Sequence, residues 1–248
     1  MATALILAAG KATRLEGIRD RFAKANVPIG KTTPLRFMLE RLAAAGVTHT
    51  WVNLHYLAEQ VRSEALRWAP AGMKVDFLPE PQLLGTGGTL LRMLEVTGDL
   101  PDVVVNAKMF TDFDFEFVTQ STANEEGCLM VLHPPTALAD FGGLTFDASL
   151  RITGLHTRTS PVPASPDAAS AAVFTGIARP DAAWVPFLQQ AASSDQGTPI
   201  CSIRHGLLPA LAAGTSSARA YLHHGYWKEI STPKRVAEIR EEMPDLCG

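Results

Sequence analysis

A chain of 248 residues, 46% of them hydrophobic, can bury the core of one large α/β domain or, at a stretch, two small ones. A formal net charge of −3 does not favour a nucleic-acid backbone or an anionic membrane, so neither is expected as a partner. The cysteines, Cys128, Cys201 and Cys247, are odd in number and far apart, which argues against a disulfide framework or a zinc site and suits a reducing, cytoplasmic setting.

The opening "MATALILAAG" is apolar, lacks a basic leader region and stops at Gly10, so it reads as a first strand, Thr3–Leu7, rather than a signal peptide. No stretch approaches the length of a membrane span. "PLRFMLERLAAAG" places Leu35, Met38, Leu39 and Leu42 on one helical face with Pro34 at the start. "HTWVNLHY" predicts a second strand, "LAEQVRSEALRW" a helix and "KVDFLPE" a third strand. "LLGTGGTLLRMLEV" is a glycine turn opening a helix, followed by the strands "VVVN" and "CLMVLH". Strand–helix–strand repetition implies right-handed crossovers and a largely parallel sheet with helices on both faces. Beyond Pro134 the pattern changes. "GGLTFD" and "RITGLHT" predict a hairpin, and "TSPVPASPDAAS" (159–170) a flexible loop within a single domain spanning 1–248. "AAVFTGIA" and "ARAYLHH" predict strands, while "DAAWVPFLQQ" and "HGLLPALAAG" are helical. "STPKRVAEIREEM" ends the chain as a helix with Thr232 as N-cap and Pro233 at its first position.

Several stretches carry candidate chemistry. In "LILAAGKATR" a strand enters a small-residue turn, which suits either a phosphate cradle or an ordinary turn; Arg14 and Lys24 follow on the same loop and could neutralise a triphosphate. The dinucleotide pattern G-x-G-x-x-G is broken at Ala12. "GKT" at Gly30–Thr32 is no P-loop, because Ala25 stands where the first glycine is needed and no strand feeds it. "LLGTGGTL" offers either backbone groups for a base or phosphate, or simply a helix start. The pair His223–His224 lies on a predicted strand and points to opposite faces, which disfavours a shared metal. "VVVNAKMFTDFDF" runs from a buried strand to an exit carrying Asn106, Ala107 and Lys108, where α/β folds bind ligands.

Taken in order, "LILAAGKATRL…FAKANVPIGKTTPL", "WVNLHYLAEQV", "LPEPQLLGTGGTL", "VVVNAKMFTDFDF", "FGGLTFD", "RITGLHTR", "VFTGIA" and "GYWKEISTPKRV" resemble the sugar-1-phosphate nucleotidyltransferases, nearest to the mannose-1-phosphate guanylyltransferase and N-acetylmuramate-1-phosphate uridylyltransferase type. The resemblance covers nearly the whole chain. It implies a single Rossmann-like α/β/α sandwich of the glycosyltransferase-A-like kind, with a mixed, mostly parallel sheet. It also implies a reaction in which a sugar 1-phosphate oxygen attacks the α-phosphorus of a nucleoside triphosphate, giving an NDP-sugar and pyrophosphate. Arg14 and Lys24 match the loop cations that offset the leaving group. Ala9, Gly10, Thr13, Glu80, Gly85, Thr86, Gly87, Gly88 and Asn106 match nucleotide-side positions, with Glu80 or Gln82 a candidate reader of the base edge. Gly143, Thr157 and Thr175 match the sugar side.

Against that pattern the reacting positions depart. The family's Asn-Gly-Asp, whose Asp holds Mg²⁺, is Asn106–Ala107–Lys108, and the second metal-binding Asp is Glu229 in "WKEISTP". The Glu-Lys-Pro segment is Thr157–Arg158–Thr159, and Ala12 and Ala23 replace a glycine and a proline of the first loop. An ammonium cannot ligate Mg²⁺. At about 4 Å a like charge costs roughly 4 kcal/mol at an effective dielectric near 20, and twice that against a divalent ion. Lys108 is therefore expected either to exclude the metal and pair with Glu229, or to face solvent if the strand register slips. Asp112 is a candidate for a displaced metal. Two readings stay open. One is an active enzyme in which Arg14, Lys24, Lys108 and Arg158 line the phosphates. The other is a binding module for a nucleoside triphosphate or NDP-sugar without catalysis. A homo-oligomer is compatible with both.

Overall fold

Strand β1 (Ala2–Leu7) opens the chain with Ala4, Leu5 and Ile6 fully enclosed, an apolar run that can satisfy its backbone only inside a sheet. The computed structural model describes residues 2–120, 127–134, 138–160, 170–194 and 197–243. After β1 come α1 (Pro34–Ala44), β2 (Val47–Leu54), α2 (Ala58–Trp68), β3 (Lys74–Pro79), α3 (Gly85–Thr97), β4 (Val103–Asn106), β5 (Met109–Thr111) and α4 (Glu116–Gln120). Then follow β6 (Cys128–His133), α5 (Leu138–Phe141), β7 (Gly143–Phe146), β8 (Ile152–His156) and β9 (Ser170–Arg179). The last elements are α6 (Val185–Ser194), α7 (Leu208–Ala212), β10 (Ala218–Leu222), β11 (Trp227–Glu229) and α8 (Pro233–Glu242). Most of the proline-rich segment expected to be a flexible loop, residues 161–169, lies outside the described residues.

The chain divides into two compact units, the first made of Met1–Leu83, Val104–Gln120 and Gly225–Gly248, the second of Leu84–Val103 and Ser121–His224. In the first unit the strands run in the order β4-β1-β2-β3, with β1, β2 and β3 parallel and Leu5 level with Trp51. Helix α1 starts where expected: the Thr33 hydroxyl accepts from the Arg36 amide at 3.2 Å, Pro34 follows, and Leu35, Met38, Leu39 and Leu42 are buried. It stops two residues before Gly46, which takes the left-handed conformation that favours glycine, φ +79°. An antiparallel ribbon of β5 and β11 pairs Met109 with Glu229 and Thr111 with Trp227. No sequence period announces this ribbon, because each strand is only three residues long.

In the second unit β10 lies parallel to β6, β6 antiparallel to β9, and β7 pairs with both β8 and β9. Across the chain as a whole the sheet is mixed and mostly parallel, with flanking helices, as in a Rossmann-like α/β fold. Two expectations are adjusted here. The helix expected over 205–214 begins as a π-helical turn, Ile203–Leu207, before α7, since Pro209 cannot donate within a regular turn. Strand β10 ends at Leu222, so the histidine pair follows it, with His223 buried and His224 exposed.

Helix α8 ties the ribbon down. The Thr232 hydroxyl accepts from the Arg235 amide at 3.3 Å, and Pro233 supplies the first helical residue, as expected. Thr232→Ala is expected to lower unfolding stability by about 1 kcal/mol, and Thr232→Asp to restore it. Urea unfolding of the three proteins checks this; equal stability throughout would mean that the cap contributes nothing.

Candidate functional site

The first loop, the β4–β5 turn and the ribbon meet over an apolar floor. Ala12 and Leu15 from the loop pack with Val27, Phe110 of β5, Ile230 after β11 and Ile239 of α8. Because charged residues alternate with these anchors in sequence, burying the anchors fixes where the charges emerge. Arg14 precedes Leu15, Lys108 precedes the strand that carries Phe110, and Glu229 precedes Ile230. The Ile230 amide donates to the Lys108 carbonyl at 2.8 Å, which extends the ribbon by one rung and brings residues 108 and 229 side by side.

Their side chains close on each other. Lys108 Nζ lies 2.7 Å from Glu229 Oε2, and Arg14 Nη2 lies 3.9 Å from Oε1. The Glu229 side chain is 4% exposed, against 33% for Lys108 and 53% for Arg14. Oε1 is buried without a hydrogen-bond partner. Burial alone would raise the Glu229 pKa, but the charge and hydrogen bond of Lys108, with Lys24 and Arg14 behind them, hold it below the usual glutamate value. Lys24, in a 3₁₀ turn over Lys24–Asn26, has its pKa lowered to about 8, first by burial and then by the repulsion of Lys108, with Glu229 opposing and Arg14 adding. Three cations thus share one carboxylate, and the cluster is net positive whether or not Lys24 is protonated.

One oxygen of Glu229 is held by an ammonium at 2.7 Å, and among the described residues no group of three or more His, Cys, Asp or Glu side chains gathers to hold an ion. A divalent cation there would displace Lys108 and face Arg14 and Lys24 besides. The residues do not fit a resident metal at this position. Asp112, the candidate for a displaced ion, is exposed after β5, and its amide donates to the Tyr226 carbonyl at 3.2 Å.

Two other nucleotide-side candidates of the first unit, Glu80 and Ala9, join a second network. Glu80 is buried and its Oε1 accepts from Asn53 Nδ2 at 2.8 Å. Asn53 Oδ1 in turn accepts from the amides of Ala8 and Ala9 at 2.6 and 3.2 Å, and His55 Nδ1 contacts the Glu80 carbonyl at 2.9 Å. Asn53 was not among the residues singled out from the sequence. Its signal was there: a buried amide inside a strand needs partners on every polar atom. Asn106 ends β4 half-buried, Ala107 donates its amide to the Leu7 carbonyl at 3.0 Å, and Gly10 and Thr13 are exposed on the loop. Ala12 takes φ +52°, the left-handed conformation that the family's glycine would adopt without strain.

In the second unit the glycine turn is occupied by the chain itself. The Gly87 amide donates to the Ile200 carbonyl at 2.7 Å, and the Thr86 and Ser202 hydroxyls lie 2.9 Å apart. A Cβ on Gly85 would meet Ile200 backbone atoms at 2.6 and 2.7 Å, one on Gly87 the Leu188 side chain at 2.7 Å, and one on Gly88 Leu84 Cβ at 2.9 Å. The Thr175 hydroxyl is buried and donates to the Val131 carbonyl at 2.7 Å, at the irregularity between β6 and β9. Gly143 lies in β7, where a Cβ would strike the Ala172 carbonyl. Thr157 is exposed and bonded through its hydroxyl to those of Thr159 and Ser160, and Arg158 beside it is exposed.

A sequence profile of the family described as "Nucleotidyl transferase" matches residues 3–241. The chain belongs to the nucleotidyl transferase family. This family member is 25% identical over 236 residues to a mannose-1-phosphate guanylyltransferase of Mycobacterium tuberculosis, covering 93% of this chain and 61% of that protein. It is 35% identical over 108 residues to an N-acetylmuramate alpha-1-phosphate uridylyltransferase of Caulobacter vibrioides, covering 42% and 44% respectively. The nucleotidyl transferase chain therefore spans less than two thirds of the length of these relatives. The fold is also that of HddC from Yersinia pseudotuberculosis, with a TM-score of 0.74 at 19% identity over 98% of this chain and 100% of that one. No helix among the described residues is long and apolar enough to cross a membrane.

Two predictions test this geometry. Asn53→Ala removes the acceptor of two buried amides and the donor to Glu80, and is expected to destabilise by roughly 1–3 kcal/mol in urea unfolding; a neutral Asn53→Ala would dismiss the network. For Lys24 the folded pKa lies below the unfolded one, so between pH 8 and 10.5 the unfolded chain keeps a proton that the folded chain has released. Stability therefore rises with pH across that window, by up to about 3 kcal/mol, relative to a Lys24→Met variant. Parallel unfolding series at pH 7.5 and 10 check it, and a constant difference between the two proteins would contradict the assignment.

Proposed function

We propose that the protein binds a nucleoside triphosphate and a sugar 1-phosphate and joins them into an NDP-sugar with release of pyrophosphate, using fixed cations where a divalent ion usually sits. The observation that carries this reading is the cluster of Arg14, Lys24 and Lys108 around Glu229. Nucleotidyl transfer asks a protein chiefly to hold the reactants in line and to offset charge. A sugar 1-phosphate oxygen forms the new bond to the α-phosphorus, and the bond from that phosphorus to the pyrophosphate oxygen breaks. The negative charge that develops on the leaving group is met by Lys24 and Arg14, with Lys108 as a single-charge substitute for the ion. The relatives named for guanylyl and uridylyl transfer to sugar 1-phosphates support the substrate classes, as does the HddC structure described as complexed with GMP-PN. The match across residues 3–241 supports reading both units as one nucleotidyltransferase domain, and a cytoplasmic site suits its substrates.

A second reading, a nucleotide or NDP-sugar binding module, is favoured by one observation: Lys108 is tied to Glu229 at 2.7 Å and brings a single charge, partly offset by that carboxylate, where a divalent ion would bring two. The test incubates the protein with each NTP and a panel of sugar 1-phosphates, with Mg²⁺ and with chelator, and follows pyrophosphate. Release is expected with at least one pair, and Lys24→Ala is expected to slow it about 10²-fold. Nucleotide binding by calorimetry without release from any pair would establish the binding module instead. Absence of both would remove the nucleotide reading.

A further inference from the structure

We propose that the Lys108–Glu229 pair makes this site select the free polyphosphate anion over its magnesium chelate, so that divalent cation opposes ligand binding. The inference rests on the reading that the cluster binds polyphosphate, and it goes further by assigning the ionic form of the ligand and the sign of the metal effect.

Lys108 Nζ is held 2.7 Å from a carboxylate oxygen that is itself buried, so the ammonium is fixed by the ribbon rather than by the ligand. Lys24 and Arg14 bear on the same carboxylate. Glu229 neutralises one of these cations, and the remaining charge is positive and built in. A polyphosphate entering such a site meets charge already in place. Each Mg²⁺ it carries removes two units of its own negative charge and brings a cation toward the ammonium of Lys108, at a distance where like charges repel appreciably. Glu229 Oε1 is buried and faces the Arg14 guanidinium at 3.9 Å, so a chelated metal approaching it would meet a second cation. The arrangement inverts the usual logic of phosphate sites, in which a bound cation is the largest local charge and acidic residues recruit it. Here the protein supplies the positive charge permanently, and the metal competes with it for the phosphate.

The experiment titrates inorganic pyrophosphate into the full chain by calorimetry, at one fixed ionic strength, with chelator and with Mg²⁺ in excess. The apparent affinity is expected to fall at least about tenfold with Mg²⁺. Lys108→Asp is expected to reverse the order, so that Mg²⁺ tightens binding, and Lys108→Met to leave binding nearly indifferent to Mg²⁺. Equal or tighter binding with Mg²⁺ by the unaltered protein overturns the inference while leaving the polyphosphate reading in place. The same holds if Lys108→Asp folds, as judged by circular dichroism, and keeps the original metal dependence. If Lys108→Asp does not fold, the paired titrations of the unaltered protein and of Lys108→Met decide. Absence of binding by both pyrophosphate and nucleoside triphosphates under either condition overturns the polyphosphate reading and this inference with it.

Discussion

An ammonium and a carboxylate in contact, the carboxylate almost wholly withdrawn from water, set the terms for the rest of this site. A carboxylate that deeply buried would be costly without a partner, because desolvation outweighs most single compensations. Lys108 supplies the contact at 2.7 Å, while Arg14 and Lys24 supply field rather than hydrogen bonds. The cations in turn depend on the carboxylate. Without it, three positive groups would converge with nothing between them, and the Lys24 pKa, lowered first by burial and then by the repulsion of Lys108, would lose the one charge that opposes that shift. The pair is the hinge of a small charge balance in which each member makes the others tolerable.

Backbone and apolar packing hold that balance in place. The ribbon of β5 and β11 delivers residues 108 and 229 to adjacent rungs, and the floor of Leu15, Phe110, Ile230 and Ile239 keeps the ribbon against the first loop. Ala12 shows the trade involved. Its left-handed φ of +52° costs about 1–2 kcal/mol for a residue with a Cβ. The buried methyl returns part of that, about 0.8 kcal/mol, and holds the loop down near the arginine that follows it.

Much of this was readable from the letters alone, and the reasons differ by element. The helices α1 and α8 could be placed because proline, a capping threonine and a period of 3.6 agree. Strands β1 and β4 announced themselves as apolar runs. The pairing of Lys108 with Glu229 was legible only through the order of motifs in the resemblance, since residues so far apart in sequence share no period. The ribbon that enforces the pairing was missed, being too short to show alternation. Asn53 was missed for another reason: its amide, one of several polar residues on its strand, stands out only once Ala8, Ala9 and Glu80 are placed around it.

The glycine turn at the start of α3 bears on how such chains should be compared. Space over Gly85 and Gly87 is filled by Ile200 and Leu188, so any side chain there would collide with the fold before it met a substrate. The Leu-Gly-Thr-Gly-Gly run is thus demanded by architecture and would persist in a chain whose chemistry had drifted or vanished. Ranking family members by that run would group working and silent copies together. The charge signs at positions 108 and 229, on adjacent rungs, are a comparison that this run cannot supply.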